Sequence, residues 1–466
     1  MRRKRSFLRW LVLACGGLLA LLGVLALVGY LFFHVAGGRR AESALALLKA
    51  SGAPTTWEEA IPPPIPDDEN AAVLYELAFA HMQMPSSGTR DQDALYAHAY
   101  NDRSERARTA KRAARILADN AEALRVAAEA GKRPKFRPNG DWREPTLVWL
   151  TREYHRRWRD LSLLARAQAL LQADRGDTAA ALQAWSTNVA MLNHLGSDPT
   201  LLGQLTRWSV VRLSHDSLRV LLQDSRLTPD DCRRAANDLA RLDFSEAFIR
   251  ALETERASDR WCMELVRTDP RAAFGSSAAS AGRVAGVYAA GKGALLGAVY
   301  PVMSPLDEAA LLEYWERRIT LARKPYRETA QQLNALARDV PRYALFTHDF
   351  RGPRPELPEW DSMRAASRDG TIAHVGLMRV GLGLAAYRTQ FGGYPESLDQ
   401  LRQALKWEVP EDPFSGKDFV YRRDGKGYLL YSLGRDLDDD GGREANLGNP
   451  AQPGTVDRDI VWRVAR

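Results

Sequence analysis

Cysteine is scarce in this chain, with three in 466 residues, and the eight histidines are scattered. No HExxH pattern and no Cys/His cluster at metal spacing occurs, which removes support for a transition-metal centre. The Gly-x-Ser-x-Gly elbow of the serve-and-relay hydrolases is missing as well. Ser214-His215-Asp216 contains the residue types of a catalytic triad, but adjacent residues on a helix point in different directions and cannot form the relay. Acidic residues are absent from the first 40 positions, where seven of the 65 Lys and Arg residues fall; the rest of the chain carries 58 of each sign. The folded part is therefore electrically balanced. A nucleic-acid binder needs its positive charge on the folded domain, so no nucleic-acid partner is expected.

What is present first is a run without charge at residues 11–33, preceded by Arg2, Arg3, Lys4, Arg5 and Arg9. At about 1.5 Å per residue it crosses the roughly 30 Å hydrocarbon core of a bilayer. The basic flank precedes the span, so the positive-inside rule keeps residues 1–10 in the cytoplasm and sends the remainder out of it. A cleaved secretory signal has a shorter apolar region and a small-residue cleavage site, and Val35-Ala36-Gly37-Gly38 is a poor one. Val12-Leu13-Ala14-Cys15 loosely follows a lipobox, yet uncharged, mostly apolar residues continue well beyond Cys15. The expectation is a single-pass anchor in a bacterial inner membrane, with the lipid bilayer as partner of residues 11–33. The bulk of the chain is then periplasmic, where nucleotides are not supplied. Gly286 to Lys292 spells most of a phosphate-binding loop but has Gly293 where Ser or Thr is needed and no strand before it, so no nucleotide is expected.

The expected fold is mainly α, with a transmembrane helix, an irregular helical-hairpin domain and a small α+β module of a helix plus antiparallel sheet. Residues 34–66 form a helical extension and a spacer stiffened by Pro62-Pro63-Pro64. The helical domain spans 67–350, with Asp67 or Asp68 as its first cap, helices expected over 106–130, 149–173 and 178–195, one running from 198 to about 223, and one at Pro229 capped by Thr228. The Gly/Ala/Ser-rich stretch 274–300 is either a loop or a small-residue helix. Residues 351–370 are a Pro-rich linker, and 371–466 form the last module. An oxidising compartment permits a Cys232–Cys262 bridge; two free thiols are the open alternative.

Small Ala165 and Ala169, the Gly176-Asp177 turn, then Ala180, Ala181 and Trp185 make residues 162–195 resemble a tetratricopeptide-like hairpin. No 34-residue recurrence extends it into a solenoid. The aromatic stripe Trp149, Tyr154, Trp158 and Trp185 reads as core.

In the last module, Ala386-Tyr387-Arg388, Gly393-Tyr394-Pro395, Leu398, Asp412-Pro413, Tyr431-Ser432-Leu433-Gly434 and Asp459-Ile460 occur in an order that resembles the globular head of the major pseudopilins of type II secretion systems. The resemblance covers about 95 residues. It implies a helix leading into a small antiparallel sheet, a calcium ion ordering the loop after the Tyr-Ser-Leu-Gly strand, and secretion-system partners. The chain departs from that family in placing some 340 residues between anchor and head, and it has no prepilin cleavage pattern. It is therefore not expected to be a fibre subunit.

The residues themselves point to the same ion. Asp436, Asp438 and Asp440 stand at positions 1, 3 and 5 of a calcium-loop pattern with Gly441 at 6. Position 12 is Leu447 rather than Glu, so this is no EF-hand; Glu444 or the carbonyl of Leu433 is expected to complete a Ca2+ shell. The function expected is a non-enzymatic, membrane-anchored interaction or scaffold protein recognising envelope or secretion-system proteins. The alternative is an envelope glycan or peptidoglycan hydrolase with its site near residues 142–158, which requires two carboxylates roughly 5 to 9.5 Å apart in a cleft. A plain spacer is the third reading.

Overall fold

The computed structural model describes residues 2–100, 102–140, 142–143, 152–224, 227–268, 283–339, 360–443 and 458–464. The chain is mostly helical. Helix α1 (Arg2–Tyr30) continues through a π-helical turn at Leu31–Ala36 into α2 (Gly37–Ala50). A short α3 (Trp57–Ala60) precedes α4 (Ala71–His81), α5 (Arg90–Tyr100), α6 (Arg103–Asp119) and α7 (Ala121–Ala130). Next come α8 (Arg152–Asp174), α9 (Thr178–Leu195), α10 (Leu201–Asp224), α11 (Pro229–Ala240) and α12 (Ser245–Thr268). The series ends with α13 (Arg283–Ala322), α14 (Tyr326–Asp339), α15 (Trp360–Phe391) and α16 (Leu398–Leu405). Three strands, β1 (Val420–Asp424), β2 (Gly427–Ser432) and β3 (Ile460–Val464), form an antiparallel sheet in the order β1-β2-β3. In register, Val420 faces Tyr431 and Leu430 faces Trp462.

The chain falls into two compact units, one of residues 1–60, 253–320 and 335–358, the other of 61–252, 321–334 and 359–466. In the first, the N-terminal helix is the one described helix long and apolar enough to cross a membrane. Leu13, Leu19, Leu25 and Val28 are each more than half exposed. After that stretch, α2 crosses α13 at Gly37, where a Cβ would stand 2.5 Å from the Leu306 backbone nitrogen. Below this crossing, the Glu308 carboxylate accepts from Arg260 Nε at 2.9 Å and from Arg267 Nη2 at 3.1 Å. Residues 286–292 lie within the helical backbone of α13, so they form no phosphate-cradling loop.

In the second unit, α8 packs on α9 and α10, α4 on α7, and α5 on α6. The hairpin turn between α8 and α9 uses Gly176 at φ 81° and Asp177, whose carboxylate accepts from Ala180 N at 3.0 Å. Ala165, Ala169, Ala181, Trp158 and Trp185 are all buried, so the two stripe residues whose side chains are described are core, as expected. Trp149 lies outside the described residues. Thr228 caps α11 in a reciprocal arrangement with Asp231.

Three local expectations are corrected. Asn70, and neither Asp67 nor Asp68, caps α4, its Oδ1 accepting from Ala72 N at 3.1 Å. Residues 106–130 form two helices because the Asn120 side chain competes for backbone groups: Oδ1 accepts from Gln83 N at 2.7 Å, and Nδ2 donates to Gln83 O and Ile116 O. Residues 360–370, expected as linker, are the first turns of α15. The middle of that helix is largely apolar, burying Leu377, Met378, Val380, Leu382 and Leu384, and such a stretch must be enclosed. It is enclosed by α10 and α11 on one side and by the sheet on the other, so residues 359–466 share a compact unit with the helices before them. Where the aromatics of the last module approach it, α15 carries glycine. A Cβ at Gly376 would lie 2.5 Å from Phe419, at Gly381 2.7 Å from Trp462, and at Gly383 2.6 Å from Trp407.

Candidate functional site

The acidic loop leaves β2 at Ser432, whose hydroxyl donates to Asp412 Oδ1 at 2.6 Å. Asp412 Oδ1 also accepts from Phe414 N at 3.2 Å, tying the Asp-Pro turn to the end of the strand. Gly434, at φ 76°, passes so close to Arg458 that a Cβ would lie 2.3 Å from its carbonyl oxygen. The loop is thus pressed against the residues that enter β3. Within it, Asp438 N donates to Asp436 Oδ1 at 3.2 Å, and Leu437 takes the left-handed conformation at φ 67°.

Two carboxylates outside the 1-3-5 pattern anchor the loop. Asp439 Oδ1 accepts from the Tyr431 hydroxyl at 2.8 Å and from Gly441 N at 2.9 Å, and the Tyr431 bond in particular holds its pKa down. Asp459 Oδ2 accepts from Gly442 N at 2.7 Å. Its residue is 2% exposed and its Oδ1 has no partner. Burial pushes the Asp459 pKa up, and the charges of Asp439 and Asp440 add to that against the opposing backbone bonds.

Of the residues expected as ligands, Asp436, Asp440 and Leu433 are half-buried and Asp438 is exposed. Glu444 lies outside the described residues. Among the described residues, no three His, Cys, Asp or Glu side chains gather as a metal site requires. Asp459 was missed because reading along one loop gives no signal from the strand that closes it; its place at the start of the last strand, opposite the Tyr-Ser-Leu-Gly segment, was the available clue.

Elsewhere the polar groups that resemble catalytic machinery are sealed. Ser214 Oγ donates to the Val210 carbonyl at 2.9 Å, spending its proton inside its own helix, while His215 Nδ1 lies 3.3 Å from Asp216 Oδ1. The Tyr75 hydroxyl is 3.0 Å from His194 Nδ1, but these residues are 1% and 3% exposed. Burial raises the tyrosine pKa and lowers that of the histidine, so both stay neutral. Trp142 donates its indole N–H to the Pro138 carbonyl at 3.2 Å, and Trp158 is fully buried among Tyr75, Phe79 and Phe136. Sugar stacking needs an exposed ring face, which these two do not offer. Cys232 and Cys262 are free thiols; burial pushes Cys232 up to about 12, leaving it inert as a nucleophile.

No family model, curated protein or solved structure matches the chain. Its function is argued from its own residues.

Proposed function

We propose that this chain is a single-pass inner-membrane protein whose residues after the span lie outside the cytoplasm and bind other envelope or secretion-system proteins without catalysing a reaction. The observation that carries the reading is the N-terminal helix, whose apolar stretch exposes leucine and valine and follows five basic residues. A surface that apolar is stable in lipid and not in water. The fold outside it supports the interaction role: among its stacked helices the buried Tyr75 hydroxyl pairs with His194 and the Ser214 hydroxyl with the Val210 carbonyl. Extraction of membranes at alkaline pH tests the anchor. The full chain stays in the pellet, and a chain lacking residues 2–33 moves to the supernatant; release of the full chain would overturn the reading.

Calcium belongs to this proposal. The unpartnered, buried Oδ1 of Asp459 faces a loop bearing Asp436, Asp439 and Asp440, an oxygen-rich surrounding that suits a hard cation. These carboxylates are not gathered round one point, so the ion would have to draw Asp436, Asp440 and the Leu433 carbonyl toward Asp459, with Asp438 and Glu444 as further donors. A bound ion supplies the positive charge that lets these carboxylates stay ionised together. Calorimetry on the full chain in detergent should show saturable Ca2+ binding at about 10⁻⁴ to 10⁻³ M, as in extracellular modules. The binding should be lost in Asp459→Asn and in an Asp438→Ala, Asp440→Ala double variant. Binding that survives both would remove the loop from the account.

A further inference from the structure

One face of α6 presents Arg103, Ala107, Ala110, Lys111 and Ala114, at spacings of three, four and seven residues that bring them into a line. Together with Leu171, Asp174 and Arg175 at the end of α8 they line an open cleft of about 600 Å³. Its floor is small and apolar, three alanines and a leucine. Its rim is cationic: the one lining carboxylate, Asp174, is held by the buried Arg106 through Nε at 3.0 Å and Nη2 at 2.8 Å. Among the described residues no carboxylate pairs with Lys111 or Arg175. The cleft therefore displays unneutralised positive charge at its edge.

We propose that this cleft is the docking site of an acidic peptide segment of a partner protein, one that places an apolar side chain between two or more carboxylates. This deepens the interaction reading above, on which it rests. Its volume lies within the roughly 300–1,000 Å³ typical of ligand clefts. An open groove between two helices, floored by alanine and leucine, admits an extended chain with a single apolar side chain at its centre. Carboxylates on either side of that side chain meet Lys111 on α6 and Arg175 on α8. A planar carboxylate suits the guanidinium fork of Arg175, and Lys111 acts as a point charge. An anionic lipid surface, by contrast, would leave the apolar floor of the cleft unfilled.

The test is fluorescence titration of the full chain in detergent with a labelled synthetic peptide of two glutamates, one leucine and two glutamates. Saturable binding that weakens with salt is expected, about tenfold or more weaker in Lys111→Glu, Arg175→Glu, and in Ala110→Trp, which fills the floor without changing charge. Arg108→Glu, on the same helix with its side chain 75% exposed and paired to Glu105, should bind within about twofold of the unaltered chain. Equal losses in Arg108→Glu and Lys111→Glu would mean diffuse attraction to a basic helix and would overturn the proposal, as would binding unchanged by Ala110→Trp. Preference for vesicles containing anionic phospholipid over the peptide would overturn it in favour of a lipid surface. The titration is independent of where the protein sits, so a failed membrane-extraction result would leave it standing.

Discussion

Asp307 shows how one side chain couples this fold to pH. Its carboxyl is 5% exposed, one oxygen has no partner, and burial raises its pKa from 3.8 to about 6. Well below pH 3.8 the group is protonated in both folded and unfolded chains and has no ionisation cost. As pH rises through 6 the folded chain must ionise it in a poorly solvated place, so its contribution to stability is lost above that point, on the order of 2–3 kcal/mol. Asp307→Asn is predicted to raise stability at neutral pH by about 1–3 kcal/mol and to leave it nearly unchanged near pH 4. Denaturant unfolding of the detergent-solubilised chain at the two pH values measures this; an equal effect at both would mean that packing, and not ionisation, is what the substitution changes. The residues at the acidic loop make the same point about partners. Asp439 is bonded twice within the loop while the buried Asp459 keeps one oxygen unpartnered, a distinction no spacing rule contains.

At the scale of elements, two close crossings depend on glycine. Gly37→Leu places a side chain where α2 meets the backbone of α13 at Leu306, and Gly383→Val does the same where α15 meets the Trp407 indole. Each is predicted to cost about 1–3 kcal/mol by overpacking. Trp462→Ala, which empties a fully buried site beside His215 and above Gly381, is predicted to cost about 3–5 kcal/mol and to loosen the sheet from α15. Thermal unfolding and the rate of proteolysis within residues 360–464 report both; a Gly383→Val chain as stable as the original would contradict the notch-and-knob account. These elements also show what the sequence discloses. The hairpin, expected as strands 419–422 and 428–433 about the Asp424-Gly425-Lys426-Gly427 turn and found at 420–424 and 427–432, the last strand, the Thr228 cap and the Gly176-Asp177 turn were readable because each depends on local chemistry: a glycine turn, a capping side chain, a positive φ. The break at Asn120 was not readable, since its partner Gln83 is 37 residues away. Nor was the enclosure of α15, although its apolar run from Val375 to Ala386, interrupted by Arg379, was on view, because which helices surround it is decided by α10 and α11 far earlier in the chain. The cationic cleft needed two elements to exist at all: α6 alone reads as a basic solvated helix.

For the whole molecule, charge and apolarity are separated along the chain. The basic excess and the exposed apolar helix sit together at the N-terminus, and the remainder is electrically balanced. That separation is what a single anchor with a cytoplasmic basic tail requires. The most direct test joins alkaline phosphatase, which is active only outside the cytoplasm, to the chain after residue 66, beyond the Pro-rich spacer, with a reporter active only in the cytoplasm fused at the same place. The account predicts phosphatase activity and a silent cytoplasmic reporter. An inactive phosphatase beside an active cytoplasmic reporter would place the folded units inside the cell and contradict it.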